Sequence, residues 1–363
     1  MIILRAYRPK IYPVVPLAEC REPSLSCPRN QFGHPAQKTR FHVTARDPSG
    51  RILWRGWFDD RDDADAFLWA AVTNALHVQR GLCNLSTPVW VPGVYSDVDI
   101  TWHYAVTTFL TTPTGSNQTY SVPSDWNSSN NSVQTVAAGA GGGGGGSLYG
   151  GGGGGGAYSS QSNISLTPSG SATYQIGTGG VASAAGGDTW FNGANLAASS
   201  VGAKGGAAGA SANPSPAGGA GGLASSGIGT TKNDGGDGSS TTAKGGGGGG
   251  AGGGSGAGVD ATADSANGGA GNNNTGGGGA GGTGGGSPTA GGNGTNFDAS
   301  HGSGGGGGGQ TVNLNGADGG NYGGGGGGGQ NGTGGAGVQG MIVVIYTPSA
   351  GMKTGFNMPN LGI

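Results

Sequence analysis

From Arg40 to Phe58 the chain reads RFHVTARDPSGRILWRGWF, with Phe41, Val43 and Ala45 on one side of an alternating pattern that resumes at Ile52, Trp54 and Trp57. A period of two on either side of a DPSG turn predicts a β-hairpin. The period then changes. Residues 59–81 open on Asp59, Asp60, Asp62, Asp63 and Asp65, close on His77, Arg80 and Gly81, and place Ala64, Leu68, Val72, Ala75 and Leu76 at helical spacing. Acidic residues suit the positive end of a helix, and a glycine suits its stop, so this segment predicts an amphipathic helix covering the hairpin's sheet. Alternation returns in DVDITWHYAVTTFLTT, where Ile100, Trp102, Tyr104, Val106, Thr108 and Leu110 share one face of a single long, half-buried strand. Val133 to Ala137 is a further β signal that leads straight into glycine, and Met341 to Ile345 is a β-branched run stopped by Pro348. Pairing these last two would make everything between them one insertion with its ends held together.

Composition explains why the pattern fades in between. Of 91 glycines, 82 lie in residues 137–340, which are about two-fifths glycine, far above ordinary usage. Before Ala137 lie 12 of the 16 Lys and Arg and 11 of the 18 Asp and Glu, the balance of an ordinary globular domain. A net charge of −2 offers no basic footprint for nucleic acid or an anionic membrane. Basic residues Arg5, Arg8 and Lys10 follow rather than precede the short apolar start, unlike a signal peptide, and Met341 to Ile345 is too short to span a bilayer. Pro9, Pro13, Pro16, Pro23 and Pro28 make the first 33 residues an extended arm, wrapped on its own domain or on a neighbour. Cys20, Cys27 and Cys83 cannot all pair within one chain and read as free thiols, with a Cys20–Cys27 bridge as the alternative.

The longest glycine runs are 141–146, 150–156, 245–250, 276–279, 304–309 and 323–329, separated by polar turns such as NPSPAGG and GNNNTGG. They follow no fixed period, which excludes the known helical and propeller repeats, and lack the strict Gly-X-Y spacing of collagen. A glycine tract that buries nothing stays flexible. Fixed ends point instead to order, in packed polyglycine II helices of three residues per turn whose N–H and C=O groups bond to neighbouring helices. The fold class expected is therefore a small α+β N-terminal domain, followed by β-strands clamping a glycine-rich domain of packed polyglycine II helices. Its parts are 1–96 (arm, hairpin, helix), 97–136 (β connection), 137–340 (glycine-rich domain with variable loops) and 341–363 (closing strand and C-terminal tail).

The segments YSVPSDWNSSNNSVQTVAAGAGGGGGG and GGAGVQGMIVVIYTP resemble the glycine-rich domain of tailed-phage and prophage virion proteins, and the overall plan is similar to polyglycine II tail-fibre tip adhesins. The resemblance covers about residues 105–348. It implies a virion protein assembled in the bacterial cytoplasm, with 1–96 docking on other virion proteins. It further implies that the loops meet a host-surface glycan or outer-membrane protein. A purely architectural head or tail component is the alternative. Both a homotrimer, common among fibres, and a bundle within one chain fit the sequence, and no heptad pattern drives a trimer. Aromatic rings among Ser and Asn stand out as candidate receptor contacts: Tyr149, Tyr158, Trp190, Phe191, Phe297, His301 and Tyr322. For Trp190 and Phe191, plugging the edge of a core poor in side chains is the stronger expectation.

Enzymatic signals are missing from the sequence. There is no nucleophile elbow or HExxH, and Lys204, Lys232 and Lys244 do not complete a phosphate loop. GxGxxG matches recur throughout the tract and carry no information there. Asp234 and Asp237 in NDGGDG do not form a calcium loop and read as a solvated turn, and His34, His42, His77 and His103 read as structural. No catalytic residue, metal or cofactor is expected.

Overall fold

A computed structural model describes residues 40–46, 52–58, 97–103, 105–144, 148–242, 244–263, 266–275, 277–312, 314–349 and 352–357. The chain divides into two compact units, Met1–Tyr104 with Gly351–Ile363, and Ala105–Ala350. In the first, β1 (Arg40–Arg46), β2 (Ile52–Phe58), β3 (Asp97–His103) and the C-terminal β15 (Met352–Asn357) form an antiparallel sheet in the order β15-β3-β1-β2. Phe41 pairs with Phe58 and with Trp102, and Trp102 pairs with Met352, so part of the C-terminal tail is an edge strand. The helix expected over 59–81, the N-terminal arm and the three cysteines lie outside the described residues.

The second unit holds β4 (Val106–Leu110), β5 (Gln118–Ser121), β6 (Asn131–Val136), β7 (Tyr149–Gly150), β8 (Tyr158–Ser162), β9 (Ser171–Gln175), β10 (Thr189–Phe191), β11 (Val201–Ala203), β12 (Ser211–Ala212), β13 (Thr231–Asn233) and β14 (Met341–Tyr346). A five-stranded sheet runs β13-β8-β6-β14-β4 and a four-stranded one β11-β10-β9-β5. In the first, β14 lies antiparallel between β6 and β4, with Val344 opposite both Val133 and Thr108. The long strand expected over 97–112 is corrected: its alternation runs on unbroken, but β3 pairs with β1 and β15, whereas β4 pairs with β14 in another sheet.

Between the two sheets of this unit lies the main core. Val133 and Val344 come from one sheet, Tyr120, Ala172, Phe191 and Val201 from the other, and Trp126 closes the end with its indole N–H on the Ile164 carbonyl at 3.2 Å. Each fully buried large side chain there contributes about 1.5–3 kcal/mol of transfer free energy. A second cluster of Val136, Tyr158, Tyr322, Met341 and Val343 covers the other face of the five-stranded sheet.

The strands continue as glycine. β6 runs on into 137–144, 150–157 runs into β8, and 333–340 runs into β14. Across that junction the bonding period changes from two to three. Along 150–157, Gly150, Gly153 and Gly156 donate to Gly329, Gly326 and Gly323; Gly151, Gly154 and Ala157 donate to Ala210, Ala207 and Lys204; Gly152 and Gly155 donate to Ser239 and Gly236. Its carbonyls accept in the same rotation from 137–143, 219–222 and 246–252. One segment thus bonds six neighbours, at 2.8–3.1 Å for the donated bonds, and leaves no orphaned backbone group. Segments 245–252, 302–310 and 323–329 are surrounded in the same way. No side chain fits between such segments: a Cβ on Gly152 would stand 1.8 Å from the Gly247 carbonyl oxygen, and one on Gly154 2.0 Å from that of Ala220.

Around these inner segments the outer ones close a ring. Bonds link 177–187 to 204–210, then 216–222, 233–239, 258–261, 266–271, 278–283, 289–294, 316–321 and 333–340, which returns to 177–180. Here glycines face inward and every third residue faces out, as with exposed Lys204, Ala207 and Ala210, or Asp234, Asp237 and Ser240.

The expected fold class is thereby corrected. The described residues are antiparallel β-sheet with no α-helix, and their only helical turns are the 3-10 turns Leu196–Ala198, Ala224–Ser226 and Asn272–Asn274. Among the described residues the packed helices give way to antiparallel sheets and extended glycine segments, and the helix of the expected α+β domain lies outside them. The physical reason lies in the bonding: a segment with no internal hydrogen bond is held by its neighbours, so within Ala105–Ala350 the strands run on into the glycine segments without a break.

Candidate functional site

Six of the seven aromatic candidates are drawn to the four- and five-stranded sheets. Trp190 and Phe191 occupy β10 at 2% and 0% exposure, with the Phe191 ring edge-on to Tyr120 at 5.4 Å. Tyr158 is buried and donates to the Gln134 Oε1 at 2.6 Å, and burial pushes its phenol above the ordinary value. Tyr322 is buried and Phe297 half-buried in the cluster on the outer face of the five-stranded sheet. Half-buried His301 stacks on Phe109 at 4.0 Å and lies parallel to Tyr322 at 6.0 Å. Its Nδ1 is 2.8 Å from the Asp298 carboxylate, which also accepts the N–H groups of Ser300 and His301 at 2.7 and 2.8 Å. Burial raises the Asp298 pKa, but these N–H groups and the His301 ring outweigh it and hold the carboxyl below its usual value. The structure therefore brings Tyr158, Phe297, His301 and Tyr322 together under one sheet face, and places Trp190 and Phe191 in strand β10. The buried rings have no face left for a receptor. A domain whose glycines cover nothing uses its few aromatics to cover its sheets.

Tyr149 is the exception. Because consecutive segments alternate in direction, turns collect at two ends: a base continuous with the sheets, and a tip to which the described residues 144, 148–150, 210–217, 239–242, 244–245, 261–263, 266–267, 283–289, 310–312, 314–316 and 329–333 belong. Hydrogen bonds fix this grouping: Gly144 donates to Ser211, Gly150 to Gly329, Ser239 to Gly247 and Gln310 to Gly328. At the tip, half-buried Tyr149 pairs with Ala212 and bridges Gln330, which bridges Leu314, while Asn331 donates to the Leu148 carbonyl at 3.0 Å. Segments 148–149, 330–331 and 314 thus lie side by side. Beneath them Gln310, fully buried, takes the Thr311 and Val312 N–H groups on its Oε1 at 2.8 and 3.2 Å. This end exposes Leu148 at 37%, Val312 at 53% and Leu314 at 57%, three of the five exposed large apolar residues among those described. Lys244 is the one charged side chain in the described tip turns.

Selecting aromatic residues passes over Leu148, Val312 and Leu314. The signal that finds them is a lone aliphatic residue in a polar turn between glycine runs. A separate cleft of about 250 Å³ lies at the base, lined by Asn130, Ser132, Ser162, Asn163, Ile345 and Thr347 among others, with no charged group. Among the described residues no cluster of three His, Cys, Asp or Glu could hold a metal ion, and no helix is long and apolar enough to cross a membrane.

No protein-family model matches the chain. No curated protein is similar enough to count as a relative.

Proposed function

We propose that this chain is a structural protein of a tailed-phage virion, a fibre or tip adhesin assembled in the host bacterial cytoplasm. Its N-terminal residues dock on other virion proteins, and the tip of its glycine lattice touches the host surface. The observation that carries this reading is that exposed Leu148 and Leu314 flank 330–331 at the tip, with exposed Val312 two residues before Leu314 and Lys244 the one charged side chain among the described tip residues, on a scaffold too poor in side chains to flex by repacking. Soluble proteins seldom expose neighbouring apolar residues without a partner for them. Nothing in the reading calls for catalysis, metal or cofactor. A host outer-membrane protein or a surface glycan would be met by many copies at once, so weak single contacts suffice.

The test uses the full chain displayed in many copies on fluorescent beads, against a panel of bacterial strains. Binding to some strains, lost in the Leu148→Asp/Leu314→Asp variant with an unchanged melting temperature, is the expected result. No binding to any strain would overturn the receptor reading in favour of a purely architectural virion component. Binding that survives both substitutions would move the contact away from the tip.

A further inference from the structure

At the seams between outer glycine segments the hydrogen bonds differ in kind by direction. Between 216–222 and 233–239, Gly235 and Gly238 donate backbone to backbone, to Gly222 and Gly219, both at 2.9 Å. In return Gly218, Gly221 and Ala224 donate to side chains, to Ser240 Oγ at 3.0 Å, Asp237 Oδ1 at 2.7 Å and Asp234 Oδ1 at 2.5 Å. The pattern repeats around the ring. Gly316 and Gly319 donate to the Thr333 and Ala336 carbonyls, whereas Thr333 and Ala336 donate back to Asn315 Oδ1 at 3.0 Å and Asp318 Oδ1 at 2.7 Å. Asp188 takes the Gly205 N–H at 2.9 Å, Asp260 the Asp237 N–H at 2.7 Å, and Asn267 the Gly284 N–H at 2.8 Å.

Inside the lattice each such N–H meets the carbonyl of another segment at a similar distance. At a seam the side-chain oxygen therefore stands where the carbonyl of one more segment would stand. Its Cβ blocks the same place sterically, since inner glycines leave room for no carbon at all. We infer that these outward acceptors, Asp237 and Asp318 foremost, are growth stops: they close the lattice edge against glycine segments of a second copy of this chain. The hazard they answer is that of an open β-sheet edge, which proteins blunt with charges and bulges. A glycine edge needs more protection than a strand edge, because any run of the same composition matches its three-residue repeat.

The inference is tested on the full chain by comparing Asp237→Gly/Ser240→Gly with Asp237→Asn, which keeps an acceptor and a Cβ without the charge. In the glycine variant the Gly221 amide should exchange with solvent roughly two- to tenfold faster, the range a single net hydrogen bond spans. That variant should also sediment as concentration-dependent larger species, with the asparagine variant matching wild type in both measurements. A glycine variant that keeps the wild-type sedimentation profile over the whole concentration range would overturn the growth-stop role. Unchanged exchange at Gly221 would overturn the latch itself. Should the double variant not fold, Asp318→Gly against Asp318→Asn, read at the Ala336 amide and by sedimentation, gives the same decision.

Discussion

Glycine is used here for what it lacks, and the requirement differs sharply between positions. A Cβ on Gly306 would stand 2.0 Å from the Gly248 carbonyl oxygen, which is backbone and cannot rotate away. On Gly286 the nearest atom is the Val312 Cγ2 at 3.6 Å, an ordinary contact. Gly306→Ala is therefore expected to cost about 3 kcal/mol or more, at the top of the overpacking range, and Gly286→Ala to stay within about 0.5 kcal/mol. Denaturant melts of the two variants check this, and equal midpoints would contradict the packing. Asp298 gives a residue-scale prediction in pH. Its folded carboxyl titrates below the ordinary value of 3.8, so its contribution is complete above that value and is lost as pH falls through the folded pKa. The difference in thermal stability between wild type and Asp298→Asn should be visible at neutral pH and vanish in acid. A difference that persists unchanged in acid would show that the carboxylate's charge plays no part. At this scale the sequence is informative about where a side chain is forbidden. Outward positions are legible only once the three-residue rotation is known, as in AGGAGGL over 217–223 with Ala217, Ala220 and Leu223 exposed.

At the scale of elements, the strands that flank the glycine segment announce themselves by β-branched residues, and β6 and β14 pair along their whole length. Short strands inside the segment are harder to see, because β9, β10 and β11 are islands of three to five residues within a glycine-rich stretch. They nevertheless build half of the main core. Phe191→Ala should accordingly cost about 3–5 kcal/mol in denaturant unfolding, as for any fully buried aromatic. A loss below about 1 kcal/mol would mean that the two sheets do not depend on each other. The break between β3 and β4 was illegible for another reason: alternation reports which residues share a face and is silent about which sheet that face belongs to. The aromatic candidates illustrate the same limit. Exposure at the tip and burial against a sheet call for the same residue types, so Tyr149 and Tyr158 look alike in sequence, although one lies at the tip and the other in a core.

For the glycine-rich unit as a whole, order follows from mutual bonding. Each inner segment is held by six others, outer segments are latched to one another by side-chain oxygens, and both ends of the chain's path through the lattice are fixed in a five-stranded sheet. The proposed contact at the tip depends on that order, since the turns carrying Leu148, Val312 and Leu314 are placed by the segments beneath them. Backbone hydrogen exchange, resolved to single amides on the full chain, tests the claim most directly. Amides of 150–157, 245–252, 302–309 and 323–329 should exchange only with global unfolding, like those of β6 and β14. Outward amides such as those of Ala217 and Ala220 should exchange quickly. Uniformly fast exchange across the glycine segments, with protection confined to the sheets, would show a flexible tract and contradict the lattice.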